Sequence, residues 1–233
     1  MKKFILKVIL FLGSAYLLLA VPDTILTNKI KHSTLDDGNV WDRIYSGKMD
    51  YDLLILGSSR AYLHYDPRII DSALSTNCYN LGRNGKKIDI SLLTYDIYTE
   101  HNPAPRLVIV DIHSLSVEKS NPYHKQQFYP YLFKKEIYKN IHETHRIRQS
   151  DRLIPMLKYR GSVKSILNSL KNTNIIYKGY YGNDRNWDGS QLEHIDTIHY
   201  SHDSSVIKQT EQWLEKCKQD GVSVIFVHSP IYI

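Results

Sequence analysis

Gly57, Ser58, Ser59 and Arg60 stand directly after the apolar run Leu53-Leu54-Ile55-Leu56. A short buried strand that ends in Gly-Ser-Ser sets small hydroxyl residues at the carboxyl end of a sheet, where open α/β sheets bind ligands. A serine in that place can act as a nucleophile once a base stands beside it. Ser59 is the candidate, and Arg60 is a candidate for an anionic substrate group or for pairing with a surface carboxylate. The plainer reading is a strand-to-helix turn in which Gly-Ser-Ser caps the next element. A Gly-x-Ser-x-Gly elbow is not met, because Ala61 stands where the second glycine would be. Gly82 to Lys87 lacks the spacing and the Ser/Thr of a phosphate-binding P-loop.

Other residues offer weaker chemistry. Asp196-Thr197-Ile198-His199 has an acid–base spacing, but it precedes a helical pattern instead of following a strand. His194, His199, His202 and Asp203 could be read as metal ligands. The chain holds eleven histidines, so such a grouping arises by chance, and no metal and no cofactor is expected. His113 and His228 each end a predicted strand, where either could line a pocket or simply mark a boundary. Cys78 and Cys217 read as small buried hydrophobes, with no Cys-x-x-Cys pattern for zinc or redox work.

The elements that must position these residues alternate. Strands are expected at Tyr51 to Gly57, Asn77 to Leu81, Arg106 to Ile112 and Val222 to Val227, the last as a fourth buried strand. The run Leu107-Val108-Ile109-Val110 suits a parallel strand buried on both faces. Asp66-Pro67 marks a helix start, and Ile69, Ile70, Ala73 and Leu74 give that helix one apolar face. A second helix carries Ile88, Leu92, Leu93, Tyr95 and Ile97. A third runs from Ser204 to a cap at Gly221. Strand, helix, strand, helix, strand is the doubly wound α/β pattern. Residues 113–203 break it, with many of the chain's 18 tyrosines, and read as an insertion over the active edge.

The first residues, Met1-Lys2-Lys3, are basic, and Phe4 to Val21 is nearly all apolar. With Lys7 snorkelling, the stretch approaches the roughly 20 residues that a bilayer requires. Residues 1–22 are expected to be a retained membrane anchor, a transmembrane helix with its lysine-bearing end in the cytoplasm, a cleaved secretory signal being the alternative with the same charge-then-apolar layout. Residues 23–50 read as a stalk and 51–233 as the extracytoplasmic domain. A formal charge of +6 is modest and spread out, and does not suggest nucleic-acid binding.

Asp52-Leu53-Leu54-Ile55-Leu56-Gly57-Ser58-Ser59-Arg60 resembles the first block of the SGNH (GDSL) hydrolase superfamily, in which a strand ends in Gly-Asp-Ser. Ser59 stands at the nucleophile position and Ser58 replaces the aspartate. Tyr79-Asn80-Leu81-Gly82-Arg83-Asn84-Gly85 is similar to the second block, whose final glycine, here Gly85, donates its N–H to the oxyanion. The resemblance implies a flavodoxin-like, three-layer parallel sheet. It also implies a membrane-anchored serine esterase or acyltransferase, acting on an ester-bearing substrate such as O-acylated envelope polysaccharide. The N–H groups of Ser59 and Gly85 would hold the oxyanion. The chain departs from the family where its third strand ends, since Val110-Asp111-Ile112-His113-Ser114 has no asparagine in register. The family's Asp-x-x-His is expected beyond Ile233, in a longer protein. A non-catalytic binding or assembly protein on the same fold is the alternative.

Overall fold

The apolar runs pair as parallel strands. Continuous Leu, Ile and Val leave no polar face, so strands made of them must be covered on both sides. The computed structural model describes residues 1–32, 38–113, 117, 125–142, 146–169, 176–182 and 203–229. In chain order, helices α1 (Lys2–Lys31) and α2 (Gly38–Tyr45) precede strand β1 (Leu53–Leu56). Helices α3 (Ser59–His64) and α4 (Pro67–Leu74) lead to strand β2 (Cys78–Asn80), and helix α5 (Ile88–His101) leads to strand β3 (Leu107–Asp111). Helices α6 (Lys135–Ile141), α7 (Gln149–Leu153) and α8 (Val163–Ser169) follow, with 3-10 turns at Lys125–Tyr131 and Leu157–Tyr159. The last described elements are strands β4 (Ile176–Tyr177) and β5 (Tyr180–Tyr181), helix α9 (Ser204–Gln219) and strand β6 (Ser223–Val227). The chain divides into two compact units: Met1–Asp42 with Asn121–Thr173, and Arg43–Ser120 with Asn174–Ile233.

The second unit is a mixed α/β domain built on a four-stranded parallel sheet in the order β2-β1-β3-β6. Leu53 lies beside Cys78 and Leu107, and Val110 lies between Leu56 and Phe226. Leu53, Ile55, Ala61 and Cys78 form a buried cluster against Tyr65, Ile70, Leu107 and Ile109. Strand β6 is the fourth strand of the sheet, but it is not buried as its apolar run implies: among the described residues it lies at the sheet's edge, and Ile225 and Phe226 are exposed, unlike the fully buried β1. Helix α5 packs on α9, with Tyr95 and Trp213 edge to face at 5.1 Å.

Local signals set the helix ends. Asp66 accepts the Arg68 N–H at 2.9 Å, with Pro67 at the first helical position of α4. Helix α9 starts on Asp203, which accepts the Ser205 N–H at 2.8 Å. It ends in a Schellman closure. Gly221 sits at φ +72° and donates to Lys218 O, while Val222 donates to Cys217 O at 2.8 Å.

In the first unit, α1 is the one helix among the described residues that is long and apolar enough to cross a membrane. Its amino-terminal part, including Phe4, Leu10, Phe11 and Leu17, is exposed. Beyond Pro22 the same helix turns polar and finds partners. Asp23 accepts from the Met156 N–H at 2.7 Å and from Lys158 Nζ at 2.8 Å, and Thr27 Oγ1 lies 2.6 Å from the Tyr159 hydroxyl. Trp41, fully buried, packs on Phe128 and Tyr131 and donates its indole N–H to Gln127. Tyr129, Tyr131 and Tyr159 are all buried in this unit. Here, tyrosine packs the interior.

Candidate functional site

Because β1, β2, β3 and β6 are parallel, the segments that follow them leave from one edge of the sheet. Strand β1 connects onward to β2 on one side, and β3 lies on its other side. Residues 57–60 and 112–113 therefore meet at the switch point where open α/β sheets bind ligands.

Gly57 makes the first turn possible. It sits at φ +146°, and a Cβ there would come within 2.9 Å of Asp111 O and 2.8 Å of Ala61 Cβ. The small residue lets the ends of β1 and β3 close on each other. Ser58 then caps α3 and accepts the Arg60 N–H at 3.4 Å. Its hydroxyl also lies 3.2 Å from His113 Nε2. Ser59 opens α3 and is half-buried, with no hydrogen bond to its hydroxyl among the described residues. The imidazole that chemistry at this turn would require thus stands on Ser58.

Behind the serines lies a charged pair. Asp111, 1% exposed, accepts the Tyr65 hydroxyl at 2.9 Å and lies 3.8 Å from Arg60 Nε. Arg60 Nε donates to Ser229 Oγ at 2.9 Å. The guanidinium therefore points inward, toward a buried carboxylate. Burial, and then the bond to Asp111, push the Tyr65 phenol above its ordinary range. His113 moves the other way. Burial first, and the Arg60 charge second, hold its imidazole below the ordinary 6.5, and Asp111 opposes the shift only in part. At neutral pH His113 is therefore a neutral ring able to accept a proton.

The loop after β2 is tied to this turn. The Arg83 N–H donates to Gly57 O at 3.1 Å, and Leu81 N–H donates to Ile55 O at 2.7 Å. Asn80 is fully buried. Its amide donates to the carbonyls of Ala61 and Tyr65 and accepts the Gly82 N–H at 2.8 Å. Gly82 allows the approach, since a Cβ there would stand 2.5 Å from Ala61 Cβ. Arg83 donates to the carbonyls of Asn80, Gly82 and Gly179 and lies over the Tyr62 ring. Lys86, 6% exposed, donates to Leu81 O and Thr94 Oγ1. Burial, with Arg83 nearby, holds its amine well below the ordinary range. Gly85 lies at the exposed tip of this loop at φ +68°, and its N–H has no backbone acceptor among the described residues.

No family model matches the chain, and no match is found among curated proteins or solved structures.

Ser59, Gly85 and Arg60 thus all belong to segments at one sheet edge. Arg60 is engaged there with Asp111 and Ser229. Asp196, His194, His199 and His202 lie outside the described residues, while Asp203 is the cap of α9. Among the described residues no cluster of His, Cys, Asp and Glu could hold a metal ion. Cys78 and Cys217 are buried thiols. Sequence reasoning gives no role to Asn80 or Asp111, and names His113 as a strand end that either lines a pocket or marks a boundary, without pairing it with a serine. A polar residue ending an otherwise apolar strand, as at Asn80 and Asp111, is the signal that could have found two of them.

Proposed function

We propose that this is a membrane-anchored serine esterase or acyltransferase of SGNH type, with its sheet domain on the extracytoplasmic side. The strand order β2-β1-β3-β6 supports a flavodoxin-like, three-layer arrangement. The observation that carries the reading is that one sheet edge gathers the Gly57-Ser58-Ser59 turn, a glycine loop bonded to it, and a neutral imidazole. By register with Gly-Asp-Ser, Ser59 stands at the nucleophile position, and the N–H groups of Ser59 and Gly85 hold the oxyanion. The substrate class is an ester, O-acylated envelope polysaccharide being the leading example. Arg60 sets the potential of the site from beneath, next to Asp111. The lysines at positions 2, 3 and 7 keep the amino terminus inside.

A binding or assembly module on the same scaffold is the second reading. It is favoured by the Ser59 hydroxyl, which has no hydrogen-bonded base among the described residues. Labelling of the full chain in detergent micelles with a fluorophosphonate separates the two. The enzyme reading expects covalent labelling of the wild type and none of the Ser58→Ala/Ser59→Ala double variant. A wild type that takes no label is a binding module.

A further inference from the structure

We infer that Ser58 and His113 form a nucleophile–base pair, so that Ser58 is the hydroxyl that receives the acyl group of an ester substrate. This rests on the acyl-transfer reading and moves its attack by one residue. The geometry points there directly: Ser58 Oγ and His113 Nε2 are 3.2 Å apart, on segments 55 residues apart in the chain. The two segments belong to β1 and β3, which are neighbours in the sheet, so the pair is set by strand register.

Capping alone does not account for the pair. Asp66 and Asp203 cap their helices at 2.9 and 2.8 Å, through carboxylates. Ser58 caps α3 at 3.4 Å, the longest of the three, and a cap requires no imidazole. Ser58 is 6% exposed, so water competes little for its bond to the ring. The charged and titratable groups acting on His113 come from four elements: Arg60 of α3, Asp111 of β3, Lys87 before α5 and His228 after β6. Three of the four are basic. Together with burial they keep the ring neutral, the form a base requires.

The step balances with these groups alone. Ser58 Oγ bonds to the ester carbonyl carbon while its proton passes to His113 Nε2. The tetrahedral intermediate collapses, the ester C–O bond breaks, and the leaving alkoxide takes the proton from Nε2. A water or acceptor hydroxyl then gives its proton to Nε2 as it attacks the acyl-Ser58. Breaking of the Ser58–acyl bond returns that proton to Oγ.

Two measurements test the pair in the full chain in micelles. First, the fluorophosphonate-labelled peptide is mapped by fragmentation. The label is expected on Ser58, with the rate in His113→Gln falling by about 100-fold or more. His113→Gln keeps the Ser58 cap, and a thermal melt matching the wild type is expected to show that the lost rate is not lost folding. A label on Ser59, or a rate unchanged by His113→Gln, overturns the pair and leaves the acyl-transfer reading standing. No label on the wild type overturns both. Second, Ser58→Cys and Ser59→Cys are alkylated with iodoacetamide across pH, with the modified peptides read by mass against the buried Cys78 and Cys217. The thiol introduced by Ser58→Cys is expected to react with a lower apparent pKa than in the His113→Gln background, because its thiolate pairs with the protonated ring. That introduced by Ser59→Cys is expected to be unchanged by His113→Gln. An apparent pKa for Ser58→Cys that His113→Gln leaves unchanged removes His113 as the base, whatever the enzyme's activity.

Discussion

At the residue scale the site depends on which hydroxyl an imidazole reaches, and that choice has a thermodynamic signature. His113 has a folded-state pKa below its ordinary 6.5, chiefly from burial and Arg60. As pH falls through 6.5 the unfolded chain takes a proton at this ring that the folded chain refuses. Stability is therefore lost on acidification over that window, and the loss levels off below the folded pKa. Urea titrations of the wild type between pH 7.5 and 5 are expected to show this slope, and those of His113→Gln to lack it. An equal slope in both would mean that the ring titrates freely. The pairing itself was not legible in the sequence. In the sequence Ser58 stands where the family pattern has an acid, and His113 is a strand end that either lines a pocket or marks a boundary. What joins them is the register that sets Leu56 beside Val110, a non-local fact that composition around either residue does not carry.

At the element scale, legibility followed locality. Strands β1 and β3 could be read because their apolar runs are continuous, and α4 and α9 because Asp66-Pro67, Asp203 and Gly221 act within a turn of the helix ends. The hairpin β4–β5 could not. Its strands have two residues each, and its tip is held by the distant β2, where Lys178 O accepts the Asn80 N–H at 2.9 Å and Gly179 O accepts from Arg83 at 2.8 Å. Gly179 adopts φ +83°, and a Cβ there would run into the Asn80 carbonyl. Gly179→Ala is therefore expected to pull the hairpin off β2, costing about 1–3 kcal/mol. Hydrogen exchange at the Asn80 amide should rise with it, while amides in the centre of β3 keep their protection. Unchanged exchange at Asn80 would show that the hairpin is not what covers it. Helix α1 was also only half read. Its polar continuation places Asp23, Leu26, Thr27 and Ile30 at helical spacing, with each partnered or buried. Pro22 ahead of them, with Thr24, Asn28 and Lys29 between them, hides that period.

At the scale of the whole molecule, one helix serves both as membrane-length apolar segment and as part of the first unit. If it spans the bilayer, the full chain is expected to stay with membranes through alkaline extraction. Arginine at exposed Leu10 and Leu17 adds about 3 kcal/mol each to insertion. The double variant Leu10→Arg/Leu17→Arg should therefore appear in the soluble fraction. Retention of that variant on membranes would place the attachment elsewhere. The continuity of α1 has a further consequence. An α-helix turns about 100° and rises about 1.5 Å with each residue. The face that bears Asp23 and Thr27 is therefore in phase with the apolar stretch that precedes it. A single residue inserted between Val21 and Pro22 would swing that face through about 100°. Helix length in residues, counted from the lipid, is in effect an azimuth setting for the unit that Asp23 and Thr27 hold.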